Sequence, residues 1–270
     1  MPLEQIQRRS VQFEYGEVGK PWRMVSLRTL IISDKDEFDE FAEEKPTLVM
    51  IHGFGAAGVM FWPLFKPLLE HFRIVTVDLL GFGGSSRVQI SEDTYSDQQV
   101  MDDYIMGYFT KWLEKCTELG YLPEKFNLHG HSYGGYVSSL FACTHPERIE
   151  ALFLNSPIGP ETLPDDFDPM YVRMSSGHME PPGDTEQKFW KYQWESYRTP
   201  MDVARLLPVF VNNSIAENFV VNDMVGFPEE HGEAFKNYFF AAYLLEAGSD
   251  AEKGLPASFH YGAYAKHPLT

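Results

Sequence analysis

The chain has 270 residues, 44% of them hydrophobic, and a formal net charge of −17 at pH 7. This length and composition suit one large α/β domain, or a domain with an insertion, around a sizeable core. The negative charge, in a sequence without a run of lysines or arginines, argues against nucleic acid as a partner and against electrostatic docking on anionic lipid.

The two cysteines, Cys116 and Cys143, each fall within a predicted helix. They provide neither a disulfide framework nor a metal-ligand set, so we expect a reducing compartment, no metal and no cofactor. Residues 1–10 are polar and show no signal peptide. The most apolar stretch, 48–65, is interrupted by glycines and a proline and does not span a bilayer. These features predict a cytoplasmic protein.

The first half of the chain alternates predicted strands and helices. Strands are expected at 11–18 and 24–33. The continuous apolar run 47–51 is typical of a strand buried on both faces of a parallel sheet, and 73–77 is predicted to be a second buried strand. A short helix is expected at 60–71. A longer helix is predicted at 96–119, with Ser96 and Gln99 as a capping box and a buried stripe that starts at Val100.

The segment Gly130-His131-Ser132-Tyr133-Gly134 is a G-x-S-x-G motif in an informative context. A short apolar strand, 125–128, precedes it, and a helix follows until His145-Pro146. A strand, a sharp turn and a helix form the setting of a nucleophile elbow. The turn requires small neighbours, which Gly130 and Gly134 supply. Ser132 is therefore the predicted catalytic nucleophile.

A second turn, His52-Gly53-Phe54-Gly55, follows the strand 47–51. In a doubly wound sheet it lies beside the Ser132 turn, at the carboxyl ends of the strands. The backbone N–H groups of Phe54 and Tyr133 are the predicted oxyanion hole. We interpret His52 as a structural histidine bonded within its loop, and His129 and His131 as poor bases. The glycine-rich turn 78–86 lacks the lysine of a phosphate loop and is interpreted as structural.

From about residue 156 the pattern changes to prolines and helices, expected at 185–197, 202–207, 214–221 and 230–245. The predicted organisation is a core at 1–155, an inserted helical lid at 156–254, and a helical return to the core at 255–270. Aromatic residues of the lid are expected to line an acyl-chain pocket over Ser132, and for about half of them a role in the lid's own core is the alternative. They are Phe189, Trp190, Trp194, Tyr197, Phe239 and Phe240.

The turns at 52–55, 78–86 and 130–135 resemble the three signature turns of α/β-hydrolases. They are most similar to those of the α/β-hydrolase-domain proteins four and five and their plant relatives, over about residues 20–160. The resemblance implies an α/β-hydrolase fold, a doubly wound and mostly parallel sheet with an inserted lid. It also implies activity on phospholipids or lysophospholipids, sometimes as an acyltransferase. The family's H-x-x-x-x-D motif is altered here, because Glu150 stands five residues after His145.

The family's catalytic acid and histidine follow the serine on later strands. Here the strand after Ser132 ends at Asn155, which cannot ionise. The later histidines stand in no strand-end context; they are His178, His231, His260 and His267. Residues 259–269 resemble the helix before the family's last strands. We therefore expect a chain that lacks those strands, leaves the strand 151–154 at a sheet edge and catalyses poorly.

The leading interpretation is a serine hydrolase of the lipid-acting type, a lysophospholipase or carboxylic-ester hydrolase that uses Ser132. The expected substrate is a small-molecule or lipid ester, with peripheral contact to membranes or lipid droplets through the lid. Three alternatives stay open: a non-catalytic lipid-binding or regulatory protein, an acyltransferase, and a peptidase-type hydrolase, because a fold alone does not fix the substrate. Head group, acyl length, protein partners and oligomeric state are left open.

Overall fold

A computed structural model describes residues 6–33, 45–161, 184–208, 210–211, 214, 229–245, 248–261 and 264–269. His178 and most of the predicted helix 214–221 lie outside these residues, as does the side chain of His231.

Six strands form a single, mostly parallel sheet. Their spatial order is β1-β2-β4-β3-β5-β6, in which β1 pairs antiparallel with β2, β2 pairs antiparallel with β4, and the other pairs are parallel. The strands are β1 (Ile6–Tyr15), β2 (Arg23–Ile32), β3 (Thr47–Ile51), β4 (Arg73–Val77), β5 (Phe126–His131) and β6 (Ile149–Asn155). The doubly wound sheet predicted from the sequence is confirmed.

Helices cover the sheet, and every residue of β3 and β4 is buried, as expected for these two strands. The first four helices are α1 (Trp62–Leu68), α2 (Glu92–Tyr95), α3 (Gln98–Glu118) and α4 (Tyr133–Thr144). Trp112 of α3 is fully buried and donates its indole N–H to Thr29 Oγ1 of β2 at 2.9 Å, which ties this helix to the sheet.

The end of β3 and the end of β5 meet at the carboxyl edge of the sheet. Ile51 and Gly130 are register partners in the parallel pair β3–β5. The turns that begin at His52 and at His131 therefore start side by side, as the sequence predicted. This edge positions the candidate site.

Among the described strands, β6 pairs only with β5 and forms an edge of the sheet, as expected. Phe153 and Leu154 of this strand are 47% and 40% exposed. The strand thus presents backbone N–H and C=O groups and apolar side chains together, a combination that favours pairing with another strand.

Two local predictions are wrong. Asp97, not Ser96, caps α3: its side chain accepts from Val100 N at 3.1 Å, because Ser96 ends the short helix α2. The predicted stripe is wrong only at its first residue: Val100 is 44% exposed and Met101 is buried instead, whereas its later members are buried as predicted, namely Tyr104, Ile105, Tyr108, Trp112, Leu113 and Cys116.

The stretch 156–254, the predicted lid, contains helices α5 (Asp184–Glu195), α6 (Pro200–Arg205) and α7 (Glu229–Phe239), followed by a π-helix at Phe240–Leu245. Toward the chain's end, a 3₁₀ turn (Asp250–Lys253) leads into α8 (Gly254–Ser258). The predicted helix 255–270 is much shorter than expected, because Phe259 forms a β-bridge with Ala265 instead. Leu255 and Phe259 pack into the core.

Candidate active site

Ser132 lies at the turn between β5 and α4, in the predicted position. Its backbone has φ 52° and ψ −118°, a conformation that non-glycine residues rarely adopt. Hydrogen bonds hold it there: Ser132 N donates to Asn155 O at 3.1 Å, and Ser132 O accepts from Gly135 N at 2.9 Å and Ile158 N at 3.3 Å. Such strain persists only where the surroundings fix it, and it is common at active sites.

The two glycines of the motif allow this turn to pack against its neighbours. A Cβ on Gly130 would lie 2.4 Å from Gly134 O, and a Cβ on Gly134 would lie 2.4 Å from both Ile51 O and His52 O. The predicted need for small residues at these two positions is therefore confirmed. Gly134 also lets the start of α4 pack directly against the end of β3.

The turn after β3 contacts Ser132 closely. A Cβ on Gly53 would lie 3.0 Å from Ser132 Cβ. Tyr133 is the first residue of α4, so its N–H has no partner within the helix. Within the described part of the chain, neither this N–H nor that of Phe54 donates to a backbone or side-chain acceptor. Two free N–H groups therefore lie near Ser132 along the chain: that of Tyr133, the next residue, and that of Phe54, which follows the Gly53 that approaches Ser132.

His52 is buried and has a structural role, as predicted. Its Nε2 accepts from Leu79 N at 2.9 Å, so the proton lies on Nδ1, which donates to Gly53 O at 2.7 Å. Burial lowers the pKa of His52. The neutral ring thereby joins the turns after β3 and β4.

No histidine side chain that the structure describes forms a hydrogen bond to the Ser132 hydroxyl. Burial lowers the pKa values of His129 and His131. His145 stacks on Phe141 at the far end of α4, about 18 Å from the start of this 12-residue helix. His145 therefore cannot assist chemistry at Ser132.

The glycine-rich turn after β4 is organised by Asp78. One carboxylate oxygen accepts from Gly58 N and the other from Gly84 N, both at 2.8 Å. The Phe82 ring contacts the rings of His52 and Phe54, with centroids 5.7 Å and 5.4 Å away. The turn after β4 therefore packs against the Phe54 turn, which agrees with its interpretation as a structural loop.

Helices α6 and α7 cover the Phe54 turn. A Cβ on Gly55 would lie 2.9 Å from Met201 Cε and 3.9 Å from Phe239 Cε2. Phe239 is one of the aromatic residues predicted to line an acyl-chain pocket, whereas Met201, which is not aromatic, was not predicted there. Of the other predicted pocket residues, Trp194 instead bonds Phe259 O at 2.9 Å, and Phe189 is 45% exposed.

The described residues include no cluster of His, Cys, Asp or Glu that could hold a metal ion. No helix in that same part of the chain is long and apolar enough to cross a membrane.

A family model described as "alpha/beta hydrolase fold" matches residues 46–180, half of the chain. The chain belongs to the α/β-hydrolase family. The match begins just before β3 and includes the turns at Phe54, Asp78 and Ser132.

Relatives with assigned names include acyltransferases. A 1-acylglycerol-3-phosphate O-acyltransferase of Arabidopsis thaliana is 31% identical over 237 residues, which cover 84% of this chain and 51% of the plant protein. The human 1-acylglycerol-3-phosphate O-acyltransferase ABHD5 is 30% identical over 151 residues, 54% of this chain and 40% of the human protein. This α/β-hydrolase chain spans about half the length of the plant relative.

Among solved structures, the epoxide hydrolase VrEH1 of Vigna radiata matches with a TM-score of 0.59 and 14% identity, covering 97% of this chain and 74% of that one. At this identity the likeness concerns the α/β-hydrolase fold alone.

Proposed function

We propose that this chain carries the acyl-accepting centre of a serine enzyme that acts on carboxylic esters of lipids. The observation that carries the proposal is the strained backbone of Ser132 at the turn between β5 and α4. The N–H groups of Phe54 and Tyr133, which form no hydrogen bond within the described residues, support it as candidate oxyanion donors. Preorganised N–H donors stabilise the negative charge that develops during acyl transfer.

In the proposed reaction, Ser132 Oγ attacks the ester carbonyl carbon, and the carbonyl oxygen becomes an oxyanion that accepts from Phe54 N and Tyr133 N. The C–O bond to the alcohol then breaks, the alcohol leaves with a proton, and an acyl-serine remains. Water completes a hydrolysis, whereas a hydroxyl of a second lipid completes an acyl transfer. The described histidine side chains do not supply the base for these proton transfers, so we expect the 270-residue chain to react slowly.

Two observations bear on the reaction and on its substrate. The named relatives favour transfer to 1-acylglycerol 3-phosphate, the substrate in their names. The apolar cover of Met201 and Phe239 over the Phe54 turn also favours a lipid substrate, because each buried CH₂ of an acyl chain contributes about 0.8 kcal/mol. We infer that residues 156–254 act as a lid and contact membrane or lipid-droplet surfaces from the cytoplasmic side.

A second candidate function is non-catalytic lipid binding. It is favoured by the Ser132 hydroxyl, which has no hydrogen-bond partner among the described residues. In that case the site would hold an acyl chain without forming an acyl-serine.

Hydrolysis of p-nitrophenyl butyrate and p-nitrophenyl laurate by the purified chain distinguishes the candidates. We expect slow turnover that prefers laurate and disappears in Ser132→Ala. Ser139→Ala is the matched control, since Ser139 lies on α4 and its hydroxyl donates to Gly135 O of the same helix at 2.8 Å. Turnover that persists in Ser132→Ala refutes the proposed nucleophile. Binding of laurate without Ser132-dependent turnover supports the second candidate.

A further inference from the structure

Asp102 is a buried carboxylate on α3 that has no part in the reaction proposed above. It is 6% exposed, and no lysine or arginine side chain of the described residues lies within ion-pair distance of it. Burial raises the pKa of its carboxyl. Burying a carboxylate costs free energy that an apolar side chain would not, so packing alone does not explain this residue.

Hydrogen-bond donors from three helices converge on the Asp102 carboxylate. Tyr136 of α4 donates its hydroxyl to Oδ2 at 2.7 Å, and Ser258 of α8 donates its hydroxyl to Oδ1 at 2.7 Å. The Gln98 side-chain amide, one turn earlier on α3, donates to Oδ2 at 3.3 Å and to the Tyr136 hydroxyl at 3.2 Å. Asp102 therefore joins α4, the helix that starts at the nucleophile turn, to both α3 and α8.

Tyr136 connects this buried cluster to the backbone of Ser132. Its N–H donates to Ser132 O at 3.3 Å, and its side chain, which is 1% exposed, ends at Asp102. The ring of Phe259 packs edge-on against that of Tyr136, with the centroids 4.7 Å apart. The strained conformation of Ser132 persists only where its neighbours fix it, and Tyr136 is one of those neighbours.

The same contacts extend to Tyr133, whose N–H is a candidate oxyanion donor. The ring of Tyr133 stacks on that of Tyr136 at a centroid distance of 6.4 Å. The start of α8 lies close to it as well, because a Cβ on Gly254 would fall 2.4 Å from the Tyr133 hydroxyl oxygen. A displacement of Tyr136 would therefore also disturb Tyr133.

We propose that Asp102 is a positioning residue for the nucleophile turn. Through Tyr136 it fixes the first turn of α4, and thereby the backbone of Ser132 and the direction of the Tyr133 N–H. Asp102 acts through Tyr136 and not on the ester itself. The catalytic consequence rests on the proposed function, whereas the effect on the turn does not depend on any reaction.

Hydrogen exchange of the Gly135 amide measures the turn without a substrate, because this N–H donates to Ser132 O at 2.9 Å. After correction for each variant's stability in urea, we expect exchange about tenfold faster in Tyr136→Phe, which removes only the hydroxyl. Tyr15→Phe is the matched control. Tyr15 also donates a buried hydrogen bond of 2.7 Å, but it lies on β1 and bonds Tyr104 O of α3, so the corrected exchange rate should stay unchanged.

The kcat and KM for p-nitrophenyl laurate separate positioning from packing. Misalignment weakens interactions that form only in the transition state, so Tyr136→Phe should lower kcat about tenfold and leave KM unchanged. Tyr15→Phe should change neither constant. Asp102→Asn should also lower kcat in the original chain, but not further in the Tyr136→Phe background, because the two side chains act as one unit.

A corrected Gly135 exchange rate that is unchanged in Tyr136→Phe, or raised equally in Tyr15→Phe, would overturn the positioning role. Additive losses of kcat in Asp102→Asn and Tyr136→Phe would also overturn it, since Asp102 would then act independently of Tyr136. If the original chain shows no turnover that depends on Ser132, the proposed function fails. The exchange rates in Tyr136→Phe and Asp102→Asn then decide by themselves whether Asp102 positions the turn.

Discussion

Gly134→Ala tests whether the packing of α4 on β3 positions Ser132. A glycine-to-alanine change within a helix ordinarily stabilises a protein by about 0.5–1 kcal/mol. Here the new Cβ would lie 2.4 Å from Ile51 O and His52 O, and backbone carbonyls of a buried strand and its adjoining turn cannot move aside as a flexible side chain can. Overpacking of this kind costs about 1–3 kcal/mol, so the sign reverses and we expect destabilisation near the upper end of that range.

Equilibrium unfolding in urea measures this effect. Cys143→Ala is the control, because Cys143 is exposed on the same helix, and it should change the free energy of unfolding by no more than about 0.5 kcal/mol. Gly134→Ala should also slow any reaction of Ser132, since α4 must shift away from the Phe54 turn. A Gly134→Ala protein more stable than the original would refute the close packing on which the site geometry depends.

Three further predictions concern stability and solubility. Although burial opposes the shift, hydrogen bonds from Ser91 and neighbouring groups lower the pKa of Glu17 to about 2. Its stabilising contribution is therefore lost as the pH falls from about 4.5 to about 2. The free energy of unfolding in urea should differ less between pH 7 and pH 3 in Glu17→Gln than in the original chain, and an unchanged difference would contradict this. Arg205 forms a bidentate pair at 3.0 and 2.7 Å with Glu252, which is 1% exposed, so Arg205→Met should cost about 3–5 kcal/mol at pH 7. Burial raises the pKa of the Glu252 carboxyl, so the cost should shrink as the pH is lowered and the carboxyl takes up a proton. Adding Glu252→Leu to Arg205→Met should recover much of the lost stability, and a double variant as unstable as the single one would argue against a charge effect. Phe153→Lys should slow aggregation measured by light scattering, because a lysine protects an exposed strand edge, and an unaltered rate would mean that β6 is not the associating edge.

The sheet and the Ser132 turn could be predicted because each depends on local sequence. β3 and β4 were predicted with the bounds that the structure has, since each is a short, mainly apolar run that ends at a polar residue, His52 or Asp78. The G-x-S-x-G turn was predictable because the contacts that forbid a Cβ are formed mainly by the turn and the strand beside it.

Features that depend on long-range packing were not predictable in the same way. Asp97 replaced Ser96 as the cap of α3 because the preceding residues form a helix of their own, which no signal in the capping pattern reveals. Met201 reaches Gly55 only because α6 folds back over the sheet.

The central claim is that Ser132 accepts an acyl group, and reaction with a fluorophosphonate followed by peptide mass spectrometry tests it most directly. The account predicts one slow adduct, on the peptide that contains Ser132, which is absent in Ser132→Ala and retained in Ser139→Ala. It also predicts that unfolding the chain in urea abolishes the reaction, because the Phe54 and Tyr133 N–H groups must be in place. Adducts spread over several serines, or an equal rate in the unfolded chain, would contradict the claim.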